Sequence, residues 1–324
     1  MNSDQITYTV FGVLLVLALT FDLGLLSKKN TTITIKQALY QTFFWVALAL
    51  GFFVFMWAER GQVIAFEYIS AYLMEWSLSI DNIFVFILIF SSFSVKAKHI
   101  PRVLLIGIMM AILFRVIFIT VGVALVDRFH WILYLFGAFL LYTGYKMFHS
   151  SEDEEFDPHD TKLFTFLNKV LPLAKHDGDG KLAVRENGKR LYTTLFVVVI
   201  MLAAIDLVFA LDSIPAVMGI SRDKMVIYTS NIFAVLGLRS LFFLLRGAVS
   251  KFDYLQQGIA IVLVFIGLKM LGEHWINQYI DKPTQVLISL AVILICIAGS
   301  IFYSIFITKP GVPADVEDDS VSEE

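Results

Sequence analysis

The sequence has few charged residues and one cysteine, and both shortages limit the kind of protein it can encode. Only 16% of its 324 residues are charged and 58% are hydrophobic, whereas about a quarter are charged in a soluble globular domain. The single cysteine, Cys296, lies in an apolar run and has no second thiol in the chain for a disulfide. The sequence has no basic patch of the kind that binds nucleic acid and no Gly-x4-Gly-Lys-Ser/Thr motif for ATP. It also has no nucleophile–base pair or cofactor motif that would indicate an enzyme.

What the sequence has instead is a series of apolar runs long enough to cross a bilayer, which takes about 20 residues each. The runs predict nine membrane helices, over 6–26, 37–57, 66–91, 101–126, 130–148, 193–219, 226–247, 254–274 and 284–307. The predicted fold class is therefore an all-α polytopic membrane protein, with the lipid bilayer as a partner. The chain divides into spans one to five (1–148), an insert (149–192), spans six to nine (193–308) and an acidic tail (309–324) that we expect to be disordered.

The basic residues predict the orientation of these spans. With the N-terminus outside, seventeen Lys and Arg fall on the inner side and five on the outer side. Basic residues are enriched in cytoplasmic loops, so the chain is predicted to run N-out and C-in. The insert then lies in the cytoplasm. It carries Asn187-Gly188 between short alternating runs, which predicts a β-hairpin with a two-residue turn.

Spans three to five resemble spans six to eight, which predicts an internal repeat. Three pairs of segments align, with charged as well as hydrophobic residues in register: 75–82 with 206–213, Arg115 with Arg239, and 129–146 with 252–269. Because each copy holds three spans, the two copies cross the membrane in opposite directions. Inverted repeats of this kind are typical of transporters, whose site lies near the midplane where the copies meet.

Six charged residues lie well inside the predicted spans, away from their ends: Glu75, Asp81, Asp206, Asp212, Arg115 and Arg239. Each costs about 2.5–3.5 kcal/mol at the centre of a membrane helix, so they need partners, cavity water or bound ions. Four acids against two arginines leave a formal charge of −2, which matches a divalent cation. The alternative is that the six groups only neutralise one another in buried salt bridges.

Helix geometry limits how the acids can act together. Two acids six residues apart on a regular helix are separated by about 120° and 9 Å, so both reach one ion only where the helix is broken. Pro215 cannot donate to the carbonyl of Leu211, which predicts a kink and a free carbonyl beside Asp212. Three more side chains would add neutral oxygens, or else form hydrogen bonds between helices: Asn82, Ser213 and Asn231. Oxygen ligands suit Mn²⁺, Mg²⁺ and Ca²⁺, while softer metals recruit His and Cys.

At these residues the sequence resembles the TerC/Alx family. The resemblance extends over nearly the whole chain and is carried by four motifs: Glu75-x5-Asp81-Asn82, 206–216 (Asp-Leu-Val-Phe-Ala-Leu-Asp-Ser-Ile-Pro-Ala), 230–239 (Ser-Asn-Ile-Phe-Ala-Val-Leu-Gly-Leu-Arg) and 265–270 (Phe-Ile-Gly-Leu-Lys-Met). It implies a manganese exporter of the bacterial inner membrane, with the paired acids of spans three and six as the ion site. One departure is Ala203, which stands where the family commonly has a glutamate.

The leading hypothesis is therefore an exporter of Mn²⁺ with Asp81 and Asp212 as the first ligands. Glu75 and Asp206 would be accessory ligands or proton acceptors, and proton antiport is the expected coupling. Arg115 and Arg239 would hold the empty site together. Two alternatives stay open: a membrane factor for tellurite resistance or membrane-protein assembly that transports nothing, and an exporter of Ca²⁺ or another small solute. The sequence does not indicate an oligomeric state.

Overall fold

The computed structural model describes residues 3–21, 33–149, 158, 161–174, 178–186, 189–246 and 254–307. Within these ranges the chain forms α1 (Ser3–Phe21), α2 (Ile35–Arg60), α3 (Gln62–Ser92), α4 (Ile100–Arg128), α5 (Ile132–His149), α6 (Lys162–Val170), β1 (Ala183–Glu186), β2 (Lys189–Tyr192), α7 (Thr194–Ile220), α8 (Lys224–Leu245), α9 (Leu255–Leu271), α10 (Glu273–Tyr279) and α11 (Lys282–Ile307). All nine predicted spans contain a helix, which confirms the helical membrane class.

The structure has fewer helices of membrane-spanning length than the nine spans predicted from the sequence. In the described part of the chain, six helices are long and apolar enough to cross a membrane: α2, α3, α4, α7, α8 and α11. A seventh span results if α9 and α10 are taken together, although they meet at a bend of 79°. The helices α1 and α5 have only 19 and 18 residues, so the count of nine stays a prediction.

Short corners join the helices at one end of the bundle, which we call the outer end because the charge bias predicts it to lie outside. A single residue, Gly61, joins α2 to α3 with a φ of 89°, a left-handed value that glycine adopts without strain. Asp223 caps α8 by accepting hydrogen bonds from the amides of Met225 and Val226. Asp223 also binds Arg60 at 2.8 Å, so the corner before α3 is tied to the corner before α8.

The two copies of the repeat, α3–α5 and α7–α9, pack around a two-fold relation. Each helix contacts its own counterpart, in the pairs α3 with α7, α4 with α8 and α5 with α9. Contacts between helices that are not counterparts also come in equivalent pairs. The contact of α3 with α8 corresponds to that of α7 with α4, and the contact of α3 with α9 corresponds to that of α7 with α5. The predicted inverted repeat requires this pattern of contacts.

Glycines allow α5 and α9 to approach closely. A Cβ on Gly144 would lie 2.9 Å from the carbonyl oxygen of Ala260, and a Cβ on Gly267 would lie 2.8 Å from that of Gly137. In the alignment of the two copies, Gly144 corresponds to Gly267 and Gly137 to Ala260. The seam, as we call this contact between α5 and α9, therefore contains two equivalent close approaches. In one a glycine of α5 meets the backbone of α9, and in the other a glycine of α9 meets the backbone of α5.

Elements outside the repeat complete the bundle. Helices α1 and α2 pack on α8, and α11 packs on α3 and α9. In the insert, β1 and β2 form the predicted antiparallel hairpin, in which Glu186 pairs with Lys189. The Asn187-Gly188 turn itself and the tail 309–324 lie outside the described residues, so their predictions are untested.

Candidate functional site

Arg115 of α4 lies at the centre of a buried polar cluster in the middle of the bundle. Its guanidinium group donates twice to Asp206, from Nε to Oδ2 at 2.7 Å and from Nη2 to Oδ1 at 3.0 Å. Its Nη1 donates to Glu75 Oε1 and to Asn231 Oδ1, the latter at 3.1 Å, and lies 3.5 Å from Ser213 Oγ. One guanidinium therefore gathers oxygen atoms from α3, α7 and α8.

The cluster is removed from the surface of the protein. Glu75, Asp206 and Asn231 are 0% exposed, and Arg115 is 2% exposed. Burying such charges is costly unless each is paired and hydrogen-bonded. The two-pronged bond between Arg115 and Asp206 provides that pairing with the geometry that guanidinium and carboxylate groups favour.

Two buried oxygen atoms near this cluster have no hydrogen-bond partner among the described residues. Among the described residues, no hydrogen-bond partner reaches Glu75 Oε2 or Ser79 Oγ, although both atoms are buried. Both residues lie on α3, one helical turn apart. Unsatisfied buried oxygens are rare in folded proteins and often mark a place where a ligand or water binds.

Asp212 lies apart from this cluster. Its Oδ1 accepts a hydrogen bond from Thr143 of α5 at 3.1 Å, and the contacts of Arg115 do not include it. The reason is that α7 is one continuous helix from Thr194 to Ile220, so that Asp206 and Asp212 point to different neighbours. The helix is continuous through Pro215, and the kink and the free carbonyl of Leu211 expected there stay predictions.

Two of the remaining predicted residues, Asn82 and Arg239, are buried in the same bundle. Asn82 is 2% exposed on α3, and Arg239 is 3% exposed on α8. Neither is among the partners of Arg115. Asp81 lies in α3, six residues after Glu75, and its side chain is outside the described part of the structure. The described residues also contain no group of three or more His, Cys, Asp and Glu side chains that could hold a metal.

Sequence reasoning missed a further buried acid, Glu67 of α3, which is 0% exposed. It accepts a hydrogen bond from Ser221 and lies 3.2 Å from Lys282. It is the second residue of the third predicted span (66–91), and the site prediction includes only charges further from the span ends. Its distance of eight residues from Glu75, which places both acids on neighbouring sides of one helix, could have identified it.

Comparison with known proteins places these observations in a family. The profile of the integral membrane protein TerC family matches residues 60–311. An uncharacterized membrane protein of Myxococcus xanthus is 39% identical over 307 residues, which cover 95% of this chain and 94% of its own length. A second uncharacterized membrane protein, from Rickettsia felis, is 39% identical over 91% of this chain and 96% of its own.

A named relative comes from Escherichia coli. It is called Alx and described as a membrane-bound redox modulator, and it is 40% identical over 81% of this chain and 84% of its own length. No solved structure matches the chain. The extent of the family match, with identities near 40% over most of both chains, shows that this membrane protein belongs to the integral membrane protein TerC family.

Proposed function

We propose that this protein exports a hard divalent cation, Mn²⁺ before others, through the cluster around Arg115. The observation that carries the proposal is the pair Glu75 and Asp206, two fully buried carboxylates from opposite copies of the repeat that meet on one guanidinium. A site where inverted copies meet, built from groups that are costly to bury, is typical of transporters.

In this arrangement the guanidinium group of Arg115 occupies the position between the two carboxylates that the cation would take. Two carboxylates and one guanidinium leave a formal charge of −1 in the cluster, and −2 when Arg115 moves away. A divalent cation would then neutralise the pair. The amide oxygen of Asn231 and the hydroxyl of Ser213, which already face Arg115, would complete an oxygen-rich set of ligands of the kind that Mn²⁺, Mg²⁺ and Ca²⁺ prefer.

Competition between the arginine and the ion explains how the site can be empty without unpaired charge. When the ion leaves, Arg115 returns to Glu75 and Asp206, so that no buried carboxylate is left without a partner. The unused oxygen Glu75 Oε2 offers a first point of attachment for an ion while Arg115 is still in place. Protons would compete for the same carboxylates, and this makes proton antiport the expected coupling.

Asp81 and Asp212 keep their predicted role as ligands, at other stages of transport. On α3, Asp81 lies about 9 Å further from the outer end than Glu75, and on α7, Asp212 lies about 9 Å nearer to it than Asp206. The two acids therefore lie on opposite sides of the central pair along the membrane normal. An ion that crosses the bundle would meet them before and after the centre.

The choice of Mn²⁺ rests on the hardness of the ligands and on the family resemblance. The description of Alx as a redox modulator belongs to that relative. A thiol–disulfide mechanism within this chain would need a second thiol, and Cys296 is the only cysteine in the sequence.

The test is metal flux into proteoliposomes, with Mn²⁺, Ca²⁺ and Mg²⁺ compared with and without a pH gradient. We expect Mn²⁺ flux in the wild-type protein and a loss of at least about tenfold, or 1.4 kcal/mol, in both Glu75→Gln and Asp206→Asn. Asp127→Asn is the matched control, because Asp127 is a surface acid, 57% exposed and paired with Lys224. Absence of flux for every cation from folded protein would contradict the proposal and favour a role without transport.

A further inference from the structure

A second polar layer lies between α3 and α7, eight residues nearer the outer end than the central cluster. Counting eight residues back along α3 leads from Glu75 to Glu67, and counting eight forward from Ser213 leads to Ser221, the residue that follows the last turn of α7. The two helices are antiparallel and in contact, so both steps lead in the same direction by about 12 Å. The hydroxyl of Ser221 donates to Glu67 Oε2, which joins the two helices at this level.

The outer layer repeats the chemistry of the centre with one difference. Each layer has a fully buried glutamate from α3, a serine from α7 or from the residue directly after it, and a cation from a third helix. In the centre the cation is Arg115, whose side chain is 3% exposed. In the outer layer it is Lys282 of α11, whose side chain is 67% exposed although the side chain of its partner Glu67 is only 1% exposed. The ammonium group can therefore leave Glu67 for water, while Arg115 cannot leave its partners so easily.

A cavity adjoins the outer layer. It has a volume of about 170 Å³, and its walls include Ser221, Lys269, Lys282 and Gln285. Lys269 donates from Nζ to Ser289 Oγ at 3.0 Å. The acid on the rim of the cavity is Glu273, which is bound to Arg222. Glu67 itself does not line the cavity, but both of its partners, Ser221 and Lys282, do.

The repeat does not explain the outer layer. In the register that aligns 75–82 with 206–213, Glu67 corresponds to Val198 and Ser221 to Phe90. Val198 and Phe90 are apolar and buried, at 0% and 4% exposed. The equivalent level at the opposite end of the bundle is therefore apolar, so the polar layer is an addition at one end only.

We infer that Glu67 and Ser221 form a release-side station, where the exported divalent cation rests between the central site and the outer cavity. This inference deepens the proposed function and rests on it. A carboxylate and a hydroxyl oxygen supply ligands of the same hard type as the central site. When the cation reaches Glu67, the ammonium group of Lys282 moves out to solvent, and when the cation leaves, Lys282 returns and restores the ion pair.

The test is inhibition of Mn²⁺ export by Mn²⁺ added on the outer side of oriented proteoliposomes. In the wild-type protein, outer Mn²⁺ reaches Glu67 and slows export. In Glu67→Gln we expect the inhibiting concentration to rise at least about tenfold, while equilibrium binding of Mn²⁺ in detergent, dominated by Glu75 and Asp206, stays within twofold. Glu273→Gln, which changes the other acid at the same cavity, is the matched control and should leave both measurements as they are in the wild type.

A second variant keeps the test valid if Glu67→Gln folds poorly. Lys282→Gln removes the competitor of the cation, so the inhibiting concentration should fall by about threefold, as expected for loss of a partly exposed ion pair. Opposite shifts in the two variants cannot result from a general loss of structure. Equal inhibition in wild type, Glu67→Gln and Lys282→Gln would overturn the station and leave the export function intact, whereas absence of Mn²⁺ export in the wild type would overturn the proposed function itself.

Discussion

Helices α4 and α8 occupy equivalent positions in the two copies of the repeat, yet the same face is exposed on α4 and buried on α8. On α4, four residues spaced one turn apart are 40–58% exposed: Met109, Leu113, Ile117 and Val121. Their counterparts on α8 are all buried: Phe233, Gly237, Leu241 and Leu245. Two helices that correspond in the predicted repeat therefore have this face exposed in one copy and covered by protein in the other.

The added helices α1 and α2 cause this difference. The ring of Phe11 in α1 packs edge-on against Phe233 at 5.4 Å, and Trp45 of α2 lies over Gly237, with its Cβ 3.7 Å from where a Cβ on that glycine would lie. The repeat thus determines the contacts between its own copies, while the helices outside the repeat decide which copy is enclosed. Because Arg115 belongs to α4, the copy with the open face also provides the central cation.

The largest effect should come from removing that cation. Arg115→Gln leaves Glu75 and Asp206 buried with no positive partner, which costs about 3–5 kcal/mol of stability in comparable buried pairs. We expect the melting temperature in detergent to fall strongly. The triple variant Arg115→Gln, Glu75→Gln, Asp206→Asn should recover most of the loss, because it leaves no unpaired charge. An equally low melting temperature in the triple variant would contradict the electrostatic explanation.

A pair of truncations tests the contrast between α4 and α8 directly. Leu241→Ala on α8 removes a side chain that is 3% exposed and should cost about 2–5 kcal/mol. Ile117→Ala at the equivalent place on α4 removes one that is 53% exposed and should change the stability by about 0.5 kcal/mol or less. Urea or heat denaturation in detergent measures both, and similar losses would show that the face of α4 is covered.

Alanine substitutions in the seam between α5 and α9 test how closely the copies match there. Gly144→Ala and Gly267→Ala both place a Cβ less than 3.0 Å from a backbone oxygen of the other helix, so each should destabilise the protein by about 1–3 kcal/mol. Gly51→Ala is the control, because a Cβ there has no atom within 4 Å in the described structure. Unequal losses in the two seam variants would mean that the two-fold relation fails at this contact.

The smallest expected effect concerns a contact that only one copy has. Thr143 bonds to Asp212, while its counterpart in the second copy is Ile266, which has no hydroxyl. Thr143→Val should therefore cost only about 0.6 kcal/mol, the typical value of a hydrogen bond between membrane helices. A much larger loss of Mn²⁺ flux than of stability would show that Thr143 orients Asp212 for transport.

The sequence predicted the fold class, the repeat and the intramembrane charges, because apolar length and charges in register are visible in one dimension. It also predicted that acids six residues apart point in different directions, and Asp206 and Asp212 do so. It could not predict which acids meet, since the meeting of Glu75 with Asp206 depends on the crossing of α3, α4 and α7. The helix continues through Pro215 because a proline removes a single hydrogen bond, which packing on neighbouring helices can offset; the free carbonyl of Leu211 stays a prediction.

The seam between α5 and α9 also has a consequence for the ancestry of the protein. Gly144 approaches Ala260 in the same way as Gly267 approaches Gly137, so each half supplies the surface that the other half needs. A half-length ancestor would make this contact by inserting into the membrane in both orientations and pairing with itself about a two-fold axis. Fusion of two such genes would fix one orientation for each half, and only then could one of them gain features that the other lacks, such as the acid at position 67.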